Sequence, residues 1–230
     1  MRLHAIFPAA GHGVRMGKAA SLPKALIPLH GIPMLIRSLR AIEAAVVVDQ
    51  AVVAVPPDHV DAVTSALAGQ SRAALLCVLG GATREESVHN AFLSLQAAPE
   101  DLVIIHDADR PLVEPELVKR VVDRAAAEGA AICAVGLTDT LKEVAQDGHV
   151  IRTHPRERFY LAQTPQVFRH AILDRAYSLR RRFEIPASDE AAIVEQAGFT
   201  VHVLNGSLRN IKVTFPQDLD MVDRWIGTGA

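Results

Sequence analysis

Five apolar runs of strand length recur along this chain with helix-period segments between them, and no other feature restricts the fold as much. The runs are Ala5 to Pro8, Ala51 to Val55, Ala74 to Leu79, Leu102 to His106 and Ala130 to Val135. Between them Leu35/Leu39/Ile42, Val60/Val63/Leu67, Val88/Phe92/Leu95 and Leu117/Val121/Val122 repeat at helical spacing, so each crossover has one apolar face to lay on a sheet. Such alternation predicts βαβ units, a mostly parallel sheet and a three-layer α/β sandwich.

The element ends are marked too. Thr83 with Glu86, and Thr214 with Gln217, have the spacing of a helix N-terminal capping box, and Gly129, Gly198 and Gly227 stand where a C-terminal glycine is expected. The stretch from Gly136 to Tyr160 breaks the alternation: it is polar, turns at Asp147-Gly148 and reads as the two arms of a hairpin packed on no helix. Alternation resumes through Ser188 to Gly198, Phe199 to Leu204 and a last helix near Pro216. With no repeat, linker or low-complexity tract, residues 1–230 are expected to form one domain with the hairpin arm inserted at about 136–160.

Composition excludes several classes. A formal net charge of -2 with 22% charged residues is not the balance of a nucleic-acid binder or a disordered chain. No segment has the length of a membrane span and the N-terminal apolar run is too short for a signal peptide, which predicts a cytoplasmic protein. The two cysteines, Cys77 and Cys133, lie inside apolar runs and read as core residues.

The first strand runs into Pro8-Ala9-Ala10-Gly11-His12-Gly13-Val14-Arg15-Met16-Gly17, where small residues let backbone N–H groups approach a phosphate. It lacks the third glycine of the dinucleotide fingerprint and the Gly-Lys-Ser/Thr of the P-loop, and taken alone it also fits an ordinary turn. Arg15 within it and Lys24 on the proline-stiffened segment after it supply two cations for a triphosphate. Gly80-Gly81-Ala82-Thr83-Arg84 with Ser87 offers turn, hydroxyl and guanidinium donors suited to a base edge, and fits plain turn chemistry as well. The fourth run ends in His106-Asp107-Ala108-Asp109-Arg110-Pro111, placing carboxylates at the carboxyl edge of the sheet, where open α/β folds bind ligands. Asp107 is the candidate Mg²⁺ ligand, because a hard ion at a triphosphate takes one or two carboxylates; the alternative is a salt bridge to Arg110.

In order and spacing these blocks, together with Thr138-Asp139-Thr140, Thr164-Pro165-Gln166, Asp189-Glu190-Ala191 and Asn210-Ile211-Lys212-Val213-Thr214, resemble the 2-C-methyl-D-erythritol 4-phosphate cytidylyltransferases over nearly the whole chain. The resemblance implies a three-layer Rossmann-like nucleotidyltransferase fold with a protruding β-hairpin arm. It also implies transfer of CMP from CTP to the polyol phosphate 2-C-methyl-D-erythritol 4-phosphate, with Mg²⁺ and release of pyrophosphate. By the same resemblance Arg15 and Lys24 stabilise transition-state charge, while Arg156 and Lys212 place the attacking phosphate. Ala9, Ala10, Gly11, Gly13, Gly81, Arg84, Ser87 and Ala108 contact CTP; Arg110, Thr140, Thr164 and Ser188 contact the acceptor. The arm is implied to embrace a second subunit of a homodimer and deliver Thr140 and Arg156 across the interface. Ribitol 5-phosphate cytidylyltransferases share the nucleotide features, and a silent nucleotide-binding scaffold is the alternative of another class. The chain departs from the family at Asp109, usually a small residue and expected here to pair with Arg110, at Ala82, often acidic, at Ser188, usually threonine, and at His154-Pro155.

Overall fold

The computed structural model describes residues 1–11, 23–180 and 187–228. Every apolar run is a strand: β1 (Leu3–Pro8), β4 (Gln50–Val55), β5 (Ala74–Leu79), β6 (Leu102–Ile105) and β7 (Ala130–Gly136), with a short pair β2 (Pro28–Leu29) and β3 (Ile32–Pro33) after β1. Helices α1 (Met34–Ala45), α2 (Val60–Leu67), α3 (Arg84–Leu93) and α4 (Pro115–Glu128) fill the intervals. Next come the arm strands β8 (Leu141–Val144) and β9 (Val150–His154), then β10 (Tyr160–Arg169), α5 (His170–Leu179), α6 (Glu190–Gln196), β11 (His202–Asn205) and α7 (Pro216–Gly227).

The seven-stranded sheet runs β11-β7-β10-β6-β1-β4-β5, and β10 alone lies antiparallel to its neighbours. Alternate side chains of each strand enter different layers. Leu3, Ala5 and Phe7 pack with α1, α2 and α4 on one face, whereas Ile6, Val52 and Ala54 pack with α3, α5 and α6 on the other. Covered on both faces, the central strands read as continuous apolar runs and not as alternating ones. Each fully buried Leu, Ile or Phe contributes about 1.5–3 kcal/mol, so the two layers of core supply most of the driving force. A third, smaller cluster, Leu29, Met34, Val213 and Val222, ties α7 to the β2–β3 pair.

The sequence pattern predicts neither β10 nor α5. Gln163-Thr164-Pro165-Gln166 is polar and contains proline, yet all four residues are buried. Pro165 falls where the β7–β10 register shifts between Ala162 and Gln166, a break that accommodates a residue without an N–H donor. The glutamines are satisfied by distant partners: Gln163 Nε2 donates to Ser207 O at 2.9 Å and Gln166 Nε2 to Asp189 Oδ2 at 2.8 Å.

Most end signals hold. Thr83 Oγ1 accepts the Glu86 N–H at 3.1 Å and opens α3; Gly129 closes α4 at φ 92° and Gly198 follows α6 at φ 88°. Two do not. Phe215, not Thr214, occupies the cap position of α7, and the carboxylate of Asp218, not Gln217, accepts the N–H groups of Thr214 and Phe215 at 2.7 and 2.8 Å. Gly227 lies inside α7 instead of beyond it, with Thr228 at its end. In the arm, β8 and β9 pair antiparallel around a turn in which Gly148 takes φ 90°. Val144, Val150 and Ile151 of the arm are more than half exposed, at 52%, 54% and 55%.

Candidate active site

The carboxyl ends of β1, β5 and β6 open onto one cleft of about 420 Å³, a size that suits a small ligand. Its wall includes Ala9, Ala10 and Gly11 after β1, Lys24, Gly81 to Arg84 and Ser87 after β5, Asp107 to Asp109 after β6, and Lys212. Loops distant in sequence therefore meet where the alternation predicts they should.

The wall near β5 is built by close approach. A Cβ on Gly80 would lie 2.2 Å from Ala10 Cβ and 3.0 Å from Ser87 Oγ, so only glycine lets the β5 loop press against the end of β1. Ser87 Oγ accepts the Gly81 N–H at 3.1 Å and donates to Thr83 O at 2.8 Å, while Glu86 Oε2 accepts the Ala82 N–H at 2.8 Å. Local side chains thus hold the Gly81–Ala82 backbone rigidly at the cleft.

Beneath the cleft lies a chain of buried polar groups. The Asp107 N–H donates to Thr164 Oγ1 at 3.0 Å, Thr164 Oγ1 meets His106 Nδ1 at 3.1 Å, and His106 Nε2 meets Arg110 O at 3.1 Å. A carbonyl only accepts, so the imidazole carries its proton on Nε2 and takes the threonine hydroxyl's hydrogen at Nδ1. Burial pushes the His106 pKa down to about 4, which keeps the ring neutral and the chain intact near neutral pH. Asn210 Nδ2 donates to Thr164 O at 2.8 Å and Arg110 Nη1 to Asn210 O at 2.7 Å, docking the loop before α7 against the β6 end.

Three cations on the wall are each held by a carboxylate. Arg84 donates Nε to Asp107 Oδ1 at 2.9 Å and Nη1 to Glu190 Oε2 at 2.8 Å; Lys212 Nζ reaches Asp107 Oδ2 at 3.0 Å; Lys24 Nζ reaches Asp109 Oδ2 at 2.5 Å. Burial opposes ionisation of Asp107, but Arg84, Lys212 and Arg110 outweigh it and hold the carboxyl well below the usual range. Asp109 therefore pairs with Lys24 and not with Arg110, whose Nε instead lies 3.5 Å from Asp107.

Residues 3–227 match the family model of 2-C-methyl-D-erythritol 4-phosphate cytidylyltransferase. The chain belongs to this family. The 2-C-methyl-D-erythritol 4-phosphate cytidylyltransferase of Frankia casuarinae is 43% identical over 226 residues, spanning 96% of this chain and 80% of the relative. The solved 4-diphosphocytidyl-2C-methyl-D-erythritol synthase of Anaerococcus prevotii aligns with a TM-score of 0.85 at 26% identity, over 98% of this chain and 96% of that one. The Thermus thermophilus cytidylyltransferase aligns with a TM-score of 0.77 at 32% identity, over 97% and 98% of the two chains.

Of the residues that the cytidylyltransferase pattern singles out, Lys24, Lys212, Asp107 and the nucleotide set Ala9, Ala10, Gly11, Gly81, Arg84, Ser87 and Ala108 share the cleft. Gly13 and Arg15 lie outside the described residues. Arg110 and Thr164 are buried behind the wall, committed to Asn210 and His106. Thr140, Arg156 and Ser188 are exposed and stand off the wall within one chain; Arg156 donates to Thr138 O at the base of the arm.

Sequence reasoning misses Glu190 as a site residue. It is fully buried, although it is a carboxylate. The available signal is helical phase: Ile193 and Val194, three and four residues on, are both fully buried, so Glu190 sits on the apolar face and requires a cation there. Cys133 is a buried core thiol as expected, its pKa pushed up to about 12 by burial.

Among the described residues no group of three or more His, Cys, Asp or Glu converges on one point. The cleft nevertheless has carboxylate oxygens in Asp107, whose two oxygens hold Arg84 and Lys212, and in Asp109, whose buried Oδ1 has no hydrogen-bond partner among the described residues. That set fits a hard divalent ion whose remaining ligands are phosphate oxygens and water.

Proposed function

We infer that this chain transfers CMP from CTP to 2-C-methyl-D-erythritol 4-phosphate, releasing pyrophosphate and giving 4-diphosphocytidyl-2-C-methyl-D-erythritol, a step of non-mevalonate isoprenoid precursor synthesis. The observation that carries it is the family match across residues 3–227. The cleft supports it, with a wall bordered by Gly11 and Gly81 and flanked by Lys24, Arg84 and Lys212.

In this reading an oxygen of the acceptor phosphate attacks the α-phosphorus of CTP. A new P–O bond forms as the bond from the α-phosphorus to the bridging oxygen breaks, and its electron pair leaves on pyrophosphate. Phosphoryl chemistry of this kind needs positioning and charge stabilisation more than covalent help. Lys24, with Arg15, balances the charge that grows on the departing group; Lys212 orients the attacking phosphate, together with Arg156. Arg84, Ser87 and the Gly81–Ala82 backbone hold the nucleotide, and Thr140 and Ser188 belong to the acceptor side. Thr164 and Arg110 act from beneath, fixing the Asp107 backbone and the Lys212 loop. Asp107 and Asp109 would hold Mg²⁺, which would supply charge neutralisation at the triphosphate.

Because Thr140 and Arg156 lie off the cleft of their own chain, the reading includes a homodimer in which the arm of one subunit completes the site of the other. The half-exposed apolar side chains of the arm support an interface there. A single-domain, cytoplasmic enzyme is part of the same reading; among the described residues no helix is long and apolar enough to cross a membrane.

The test is pyrophosphate release from CTP with 2-C-methyl-D-erythritol 4-phosphate, against ribitol 5-phosphate as acceptor and ATP, GTP and UTP as donors. Release confined to CTP and the methylerythritol acceptor is expected. Preference for ribitol phosphate would reassign the acceptor, and release with neither acceptor would leave a silent scaffold.

A further inference from the structure

The carboxylates of the cleft differ in what they leave uncommitted. Asp107 gives both oxygens to cations, Oδ1 to Arg84 and Oδ2 to Lys212. Asp109 gives one, Oδ2, to Lys24 at 2.5 Å; its Oδ1 is buried and has no hydrogen-bond partner among the described residues. The pair is poorly hydrated, with side chains 12% and 17% exposed. Both residues line the cleft, and the Asp109 backbone is pinned from behind, its carbonyl accepting the Val213 N–H at 2.9 Å.

A triphosphate entering this cleft meets cations that are already neutralised. Lysine is a point charge on a flexible stem, so Lys24 is free to rotate towards phosphate, whereas the anchored Asp109 stays. Departure of Lys24 would strip a poorly hydrated carboxylate of its only cation among the described residues, an unfavourable state unless another cation arrives. The nucleotide brings one with it when it enters as its divalent-metal complex, and Oδ1, unpartnered among the described residues, is a second oxygen that such an ion can take.

We propose that Asp109 is a counterion that Lys24 leaves when the nucleotide binds, and that the divalent ion carried by the nucleotide takes the place of Lys24 on it. Asp109 is thus a positioning residue that holds Lys24 while the cleft is free of nucleotide and makes nucleotide binding conditional on the metal. Nucleotide without metal must break the pair uncompensated; nucleotide with metal exchanges it.

The exchange rests on CTP as the nucleotide and is tested by binding, without turnover. CTP is titrated calorimetrically into the full-length protein in excess EDTA and in saturating Mg²⁺, for wild type and Asp109→Asn. The expected result is that Asp109→Asn tightens metal-free CTP binding about tenfold and lowers the ratio of metal-free to metal-bound Kd by at least about tenfold, the scale of one ion-pair exchange. An unchanged ratio would overturn the proposal. Lys24→Met leaves Asp109 untouched but without its lysine, and keeps the question open to decision even where Asp109→Asn folds poorly. Mn²⁺ alone, followed by electron paramagnetic resonance, should bind nucleotide-free Lys24→Met about tenfold more tightly than wild type, and equal binding would overturn the exchange. Failure of wild type to bind CTP under either condition would count against CTP as the nucleotide, while the Mn²⁺ comparison would still decide the exchange.

Discussion

Glu190 and Asp107 hold one guanidinium between them, Arg84 giving Nη1 to the first at 2.8 Å and Nε to the second at 2.9 Å. The two carboxyls are driven in opposite directions. Burial pushes the Glu190 pKa up despite Arg84, whereas Arg84, Lys212 and Arg110 overcome burial at Asp107 and pull it down. Glu190 therefore helps to fix the orientation of a side chain that lines the cleft.

Removing Glu190 should be felt in stability before chemistry. Glu190→Ala is expected to lower the unfolding free energy by about 3 kcal/mol, the scale for breaking a buried pair by deleting one partner. Urea unfolding with an unchanged slope measures it. A loss under about 1 kcal/mol would mean that Asp107 alone suffices to hold Arg84.

The neutral His106 ring makes a pH prediction. Its folded pKa, about 4, lies below the ordinary 6.5, so between these values the unfolded chain binds more protons and stability falls as pH falls. The loss from this group between pH 7 and pH 5 is about 2 kcal/mol. In His106→Asn the corresponding fall, read from urea midpoints at the two pH values, should shrink by that amount. An unaltered pH dependence would show that other groups govern it.

Gly80→Ala is predicted to separate the shape of the cleft wall from the fold. The added methyl would meet Ala10 Cβ at 2.2 Å, and overpacking of this kind costs about 1–3 kcal/mol. Because the displaced atoms belong to the wall, CTP binding should weaken by about tenfold or more in a protein that still folds. Calorimetric CTP affinity unchanged from wild type would show that the close approach does not shape the site.

Complementation tests the shared site. Lys24→Ala should lower turnover by about two to three orders of magnitude, and Arg156→Ala should also be nearly inactive. When the two are unfolded together and reassociated at random, half the dimers are mixed and one site in each draws an intact Lys24 and an intact Arg156 from different chains, restoring about a quarter of all sites. Recovery no greater than the sum of the parents, with mixed dimers confirmed by mass, would mean that each subunit builds its site alone.

The parallel part of the fold was legible because buried strands and one-faced helices leave apolar runs of different period. The loops of the site were legible for the same reason, since they sit where the runs stop. β10 was hidden because its buried centre is polar and satisfied by partners some 23 and 44 positions away, information that no local window contains. Proximity in sequence misleads at Asp109: Arg110 is adjacent, but its guanidinium turns back to Asn210, leaving Lys24, 85 positions away, as the partner. Glu190 is legible in principle from helical phase, which puts its carboxylate on the same buried face of α6 as Ile193 and Val194.

The placement of β1 has a consequence for how the protein is made. Leu3 lies opposite Leu102 on one side and His4 opposite Gln50 on the other, so this central strand is synthesised well before either neighbour. At translation speeds of about 5–20 residues per second, an apolar segment destined for the middle of the molecule waits roughly 5–20 s for β6, and longer for β10 beyond it. Until then it is a sticky nascent chain, and the yield of soluble enzyme should depend on translation rate and on chaperones that shield that segment at the ribosome.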